Sequence, residues 1–279
     1  MTVSTETLTA GRDSTEAIVH LEDVSVRLGE RLALQGISLD IRPGSFVGLI
    51  GPNGSGKSTL IRSILGILPL SSGRLLIGGR EPNAARDLFS YLPQRQQIEL
   101  DLPLRAWDVV MMGRLRQRGW LRGPSKEDRE LVSWALNLVD LSDRRDSSIG
   151  EMSFGQQQRI FLARALVQQG SLLLLDEPMN GVDSRTQDLF LNLLASFQAQ
   201  GRTVIMATHD LNQAADICDN ILLLNNSLVA YGPPAETLKP EVLQAAYGAH
   251  IHFLDSPFSS HSQMLEDVHH HPTDSHGHL

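Results

Sequence analysis

The sequence predicts an α/β fold with a parallel core sheet, an antiparallel β layer and an inserted α-helical subdomain, and three observations predict it. The apolar run Phe46-Val47-Gly48-Leu49-Ile50 leads directly into Gly51-Pro52-Asn53-Gly54-Ser55-Gly56-Lys57-Ser58, which reads glycine, four residues, glycine, lysine, serine. Strand-sized apolar runs alternate with helical stretches from Ser171 to Leu224. Between them, from about Leu104 to Gln169, the strand pattern disappears and helical spacing takes over.

In chain order, residues 1–16 are Ser/Thr-rich without an apolar segment and read as a disordered start, not a signal peptide. Short alternating segments from Ala17 to Ile41 (Ile18–Leu21, Val24–Val26, Ile37–Leu39) predict the antiparallel layer. A Pro43-Gly44 turn leads into the buried strand Phe46–Ile50, and Ser58 to Leu65 reads as a helix. Gly73 to Gly78 reads as a short strand between turns. In the helical stretch, Ser125 is a candidate N-cap for a helix to Leu138, with Glu127 and Asp128 in its first turn. Leu172–Leu175, a helix near Arg185–Ala199, Thr203–Ala207, a helix from Leu211 and Ile221–Leu224 then complete the sheet. Past Ala249 the composition turns to His, Ser, Asp and Pro. The expected organisation is a 1–16 start, a 17–249 domain with its helical insertion at about 95–168, and a flexible tail over 250–279.

Composition narrows the function. The 279 residues, 41% hydrophobic, suffice for one large domain or two subdomains sharing a core. A formal net charge of −8 speaks against a general nucleic-acid binder, which needs a basic face. Cys218 is the only cysteine, so no internal disulfide forms; beside an apolar run it reads as a core residue in a reducing compartment. No stretch approaches the 18 apolar residues of a membrane span, so the chain reads as cytosolic and any membrane role comes through a partner.

The glycine-rich segment, taken as Gly51 to Thr59, has a phosphate-binding chemistry. Glycines allow a turn in which several backbone N–H groups point at phosphate oxygens, and the following helix adds its N-terminal dipole. Lys57 can reach the β- and γ-phosphates, and Ser58 is placed to ligate Mg²⁺. Leu172-Leu173-Leu174-Leu175-Asp176-Glu177 is an apolar strand ending in paired carboxylates, at the end where α/β sheets bind ligands. Asp176 suits Mg²⁺; Glu177 suits orienting or deprotonating an attacking water.

Further motifs follow in a fixed order: Gln94 after Tyr91-Leu92-Pro93, then Met152-Ser153-Phe154-Gly155-Gln156-Gln157-Gln158-Arg159, Asp176-Glu177-Pro178, Asn180-Gly181-Val182-Asp183 and Thr208-His209-Asp210. Over residues 18–245 the set resembles the nucleotide-binding subunit of ABC transporters. The resemblance implies a P-loop NTPase fold of the ABC type, ATP hydrolysis with Mg²⁺, and two copies sandwiching two ATP molecules. It implies that Gln94 links Mg²⁺ and water to the helical insertion. Ser153, Gly155 and Gln156 would contact the γ-phosphate held by the other copy, His209 would touch the γ-phosphate, and Asp183 would lie at the dimer seam. Spacing alone makes Ser153 and Gln156 a capping box for a helix Phe154–Gln169, and Asp183 a cap for a helix near Ser184. Two departures stand out: Phe154 replaces the signature's usual glycine, and Leu28 occupies the place of an adenine-stacking aromatic ring.

Asp108–Arg114, Gly119-Trp120-Leu121 and Leu228–Pro233 are similar to ATP-binding subunits of manganese, zinc and iron uptake systems. That narrower likeness implies integral membrane permease subunits as partners, a solute-binding protein indirectly, and a peripheral place on the cytoplasmic face of the inner membrane. The amphipathic Arg105–Arg114 stretch reads either as part of the groove for a membrane partner or as ordinary helix packing. ATPases for iron–siderophore, haem or cobalamin import share all the hydrolysis motifs, and a soluble ABC-type ATPase is a further alternative. Eight of the ten histidines lie at or beyond residue 250, with Glu266, Asp267 and Asp274 among them. Such a tail reads as a metal sensor or buffer, or as a solvated segment with incidental metal affinity.

Overall fold

The computed structural model describes residues 17–94, 104–118 and 123–248. Expectations for residues 1–16, for 95–103 of the insertion, for Gly119-Trp120-Leu121 and for the tail lie outside the described residues. Strand β1 (Val19–Leu28) pairs antiparallel with β2 (Arg31–Ile41) on one side and with β4 (Ser72–Ile77) on the other. Asp23, at φ 49°, shifts the register between Leu21 and Val24, so Val24 and Val26 are buried like Val19 and Leu21.

A six-stranded sheet forms the centre, in the order β5 (Phe89–Leu92), β6 (Leu172–Asp176), β7 (Thr203–Ala207), β3 (Phe46–Ile50), β8 (Asn220–Asn225) and β9 (Ser227–Gly232). All neighbours are parallel except the antiparallel edge pair β8–β9. Alternate side chains of each inner strand serve two different cores. Phe46, Leu173, Leu175, Val204, Met206, Ile221 and Leu223 pack with the helical side. Val47, Leu49, Leu172, Leu174, Ile205, Leu222 and Leu224 pack with the antiparallel layer and helix α1 (Lys57–Ile64). Strands buried on both faces explain the continuous apolar runs that the sequence shows.

The insertion is helical in its described residues: α2 (Ala106–Met111) runs through a 3₁₀ turn into α3 (Leu115–Arg118), followed by α4 (Lys126–Leu138) and α5 (Phe154–Leu166). Ser125 and Asp128 form a full capping box on α4. The buried Arg114–Asp128 pair, 2.8 Å apart, sits where α2, α4 and α5 meet, and Arg114 also donates to the Val167 carbonyl. Within Arg105–Arg114 the apolar side chains Val109, Val110 and Met111 are buried in this packing. Helix α5 stops at Leu166, short of the expected Gln169, because Gln169 takes a left-handed conformation (φ 57°) ahead of Gly170.

Helices α6 (Ser184–Ala199) and α7 (Leu211–Ile217) lie in the expected places, and α8 (Pro234–Thr237) and α9 (Pro240–Tyr247) cover β8 and β9. Strands β5 and β9 are additions to the sequence reading. Cys218 is buried, and that burial pushes its thiol up to about 12, as befits an inert core residue.

Candidate functional site

Three neighbouring strands bring the motifs together. Across the sheet Asp176 pairs with Ala207 and Leu49 pairs with Ala207, so β6, β7 and β3 end side by side. The glycine-rich loop after β3, the carboxylates ending β6 and the Thr208-His209 segment after β7 therefore emerge on one edge, the edge where open α/β sheets hold ligands.

The loop forms a cleft of about 350 Å³ lined by Leu28, Arg31, Ala33, the loop residues Asn53 to Thr59, Gln94 and Glu177. Gly56 caps α1 in a left-handed conformation (φ 102°), with no side chain accepting from the first amides. A Cβ there would stand 2.5 Å from Leu34 Cδ2 and 2.8 Å from the Ala33 carbonyl, so glycine is required both sterically and conformationally. Lys57 is buried and donates to the carbonyls of Gly51 (2.7 Å) and Pro52 (3.2 Å). Burial lowers its pKa, opposed by the charges of Glu177 and Asp176.

Ser58 Oγ donates to Asp176 Oδ1 at 3.1 Å. The other carboxylate oxygen, Asp176 Oδ2, is buried without a hydrogen-bond partner. Burial raises the Asp176 carboxyl above its ordinary value, with the Ser58 bond opposing. A hydroxyl and an unpartnered carboxylate oxygen beside a phosphate cradle are the hard oxygen donors that Mg²⁺ takes. The residues fit that ion.

Glu177 sits at φ 51°, a left-handed conformation uncommon for a non-glycine residue, held by its N–H donating to the Ala207 carbonyl at 3.1 Å. Its Oε2 accepts from Gln94 Nε2 (3.0 Å) and from Asn180 Nδ2 (3.4 Å). It also lines a second cleft with Asn180, Gly181, Gln187, Thr208, His209, Asp210 and Gln213. Glu177 thus faces both spaces, and His209 stands in the second.

The remaining predicted residues stand elsewhere. Ser153 caps α5 and accepts from the Gln156 N–H at 3.3 Å, while Gln156 Oε1 accepts from the Ser153 N–H at 3.0 Å. Asp183 caps α6 by accepting from the Thr186 N–H at 2.8 Å, a bond that holds its carboxyl below the ordinary value. Gly155 lies against Asp183 and Thr186, where an added Cβ would come within 3.2 Å of Asp183 Oδ2. None of Ser153, Gly155, Gln156 and Asp183 lines either cleft. Phe154 is tucked against Gly181, its ring 3.2 Å from where a Cβ on that glycine would stand.

Three residues at or beside the site (Arg31, Asn226 and Ala33) escaped the sequence reading, and Gln158 appeared there only as part of a motif with no role given. Arg31 Nη2 donates to the Gly54 carbonyl at 2.9 Å. Asn226, left-handed at φ 58°, donates its N–H to the Ser55 carbonyl (2.8 Å) and its Nδ2 to the Ala33 carbonyl (2.9 Å). Gln158 donates from within the core to the Pro178 carbonyl at 2.8 Å, and Ala33 lines the loop cleft. A signal existed for Arg31 alone: the Gly29-Glu30 turn sets it directly opposite Leu28.

Comparison with known proteins agrees with this geometry. A family model described as ABC transporter matches residues 34–180. The chain is 41% identical over 253 residues, 90% of its length and 95% of the relative, to the manganese transport system ATP-binding protein MntA of Synechocystis sp.. It is 37% identical over 238 residues, 85% of its length and 90% of the relative, to the zinc transport system ATP-binding protein TroB of Treponema pallidum. Among solved structures, cbiO1 from Clostridium perfringens, part of the ABC transporter complex cbiONQ, superposes with a TM-score of 0.68 at 27% identity, covering 82% of this chain and 94% of that one.

Proposed function

This chain belongs to the ABC transporter family, and we propose that it is the subunit whose ATP hydrolysis powers uptake of a divalent metal ion, manganese, zinc or iron, through separate membrane permease subunits. The observation that carries the reading is the loop cleft, where the glycine-rich loop, Gln94 and Glu177 line one space and Ser58 joins it to the buried Asp176, whose Oδ2 has no hydrogen-bond partner. In this reading Lys57 and the backbone N–H groups between Gly51 and Thr59, Pro52 having none, hold the triphosphate. Ser58, Asp176 and Gln94 would hold Mg²⁺, which would supply neutralisation of phosphate charge when bound. Glu177, steadied by Gln94 and Asn180, orients the attacking water and takes its proton. His209 reaches the γ-phosphate from the adjoining cleft.

Two copies act together. Ser153, Gly155, Gln156 and Asp183 stand outside their own cleft, which supports their serving the nucleotide of a second copy in a homodimer. The dimer docks peripherally on permease subunits at the inner face of the membrane, and a solute-binding protein delivers the cargo to the far side. The manganese and zinc systems of the relatives support the choice of cargo.

Disrupting the reading frame in its source organism and following uptake of labelled manganese, zinc and iron tests the proposal. One of the three should fall to background and return on complementation with the wild-type chain but not with Lys57→Ala. Unchanged uptake of all three metals overturns the cargo assignment.

A further inference from the structure

The β1–β2 turn brings two side chains to one wall of the loop cleft, where Leu28 and Arg31 pair across the hairpin. Leu28 is 45% exposed and offers the cleft only an aliphatic surface. Arg31 is exposed too, yet one edge of its guanidinium is fixed by the 2.9 Å bond to the Gly54 carbonyl. That carbonyl is held from a second side by Asn226 Nδ2 at 3.5 Å, and Asn226 fastens the neighbouring Ser55 carbonyl through its own N–H. The anchor of the guanidinium is therefore part of the phosphate cradle itself. A guanidinium is planar and weakly hydrated, and it stacks on aromatic faces; one pinned along an edge loses little further freedom on doing so. Nucleobases stack on arginine planes elsewhere by the same chemistry.

We propose that Arg31 is the purine-contacting residue of this site, a cationic platform on which the base of the bound nucleotide stacks while the cradle holds its phosphates. The proposal rests on the cleft's being a nucleoside triphosphate site. A flat cation reads the π-face that every purine has, so the contact secures adenine and guanine alike.

Equilibrium binding of the Mg²⁺ complexes of ATP, GTP and inorganic tripolyphosphate to the full chain tests it. Arg31→Ala should weaken both nucleotides about tenfold and leave tripolyphosphate within about twofold of wild type. Arg31→Lys should behave like the alanine variant, because an ammonium keeps the charge and loses the plane. Adding Leu28→Tyr to Arg31→Ala should recover most of the lost nucleotide affinity by supplying an aromatic face from across the hairpin. Equal losses for all three ligands would make Arg31 a phosphate contact or a loop clamp and overturn the proposal, as would unchanged nucleotide binding. Unaltered thermal melting of each variant separates these outcomes from misfolding. If the wild-type chain bound none of the three, the nucleotide-site reading itself would fail and take this inference with it.

Discussion

Helices α1 and α5 both begin as anion-ready ends, yet their first turns are built oppositely. At α1 the cap is a left-handed glycine with no side-chain acceptor, so the leading amides are left open toward the loop cleft. At α5 the capping box closes on itself: Ser153 and Gln156 satisfy each other's backbone donors. An open end is built for a ligand that arrives first and binds deeply. A self-satisfied end is stable without one, and its donors outside the box include the Ser153 hydroxyl and the Gln156 Nε2, because Oγ and Oε1 act only as acceptors in it. In the proposed homodimer the two ends would suit an ordered assembly, with nucleotide seated on α1 before a second chain's α5 closes over it.

That contrast can be broken or sharpened by substitution. The largest effect belongs to the open end: Lys57→Ala should lower MgATP turnover at least about 100-fold, measured as phosphate release, and wild-type turnover would remove α1 from the chemistry. Glu177→Gln comes next. It should bind MgATP and lower hydrolysis by about 100-fold or more, leaving a nucleotide-filled dimer on size exclusion. A monomer under those conditions would break the pairing of α1 with α5.

Ser153→Ala should be milder, costing about 1 kcal/mol of folding stability through the lost cap. In the Glu177→Gln background it should also lower the fraction of dimer while leaving MgATP affinity of the monomer near wild type; loss of monomer affinity would put Ser153 at its own chain's cleft. The smallest effect concerns stability without ligand. Asp176 has its carboxyl raised by burial, so the stability it contributes is complete below the ordinary carboxylate pKa and is lost as pH rises through the raised value. Asp176→Asn should therefore melt higher than wild type at neutral pH in the absence of nucleotide and Mg²⁺, and the advantage should shrink on acidification. A gap independent of pH would show that the open end carries no such charge strain.

The open end was legible in the sequence because its determinants are contiguous: eight residues of loop, and a carboxylate pair closing an apolar strand. The doubly buried strands β6 and β7 were equally plain, since they expose no polar alternation to confuse the pattern. Strand β5 was not, because four residues stopped by Pro93 give too short a period to recognise. Strand β9 was not either, because none of its residues is fully buried and it shows no alternation of buried and exposed side chains. Arg31 and Asn226 escaped for a different reason. Each acts on the Gly54 carbonyl, 23 and 172 residues away in sequence; the Gly29-Glu30 turn could place Arg31 opposite Leu28, but no local pattern records a carbonyl that only folding brings near. The capping box of α5 was read correctly, yet its spacing could not say that α5 stands apart from the loop it resembles in chemistry.

The first turns of α5 are bolted to the stretch that follows Glu177. Gln158 grips the Pro178 carbonyl inside the core, and the Phe154 ring rests on Gly181. The start of α5 is therefore tied to the loop that leaves β6, a strand that itself lies between β5 and β7 in the central sheet. If Glu177 acts on water as proposed, this link couples the helical subdomain to the loop just after that carboxylate, so a shift of α5 would be felt at Pro178 and Gly181.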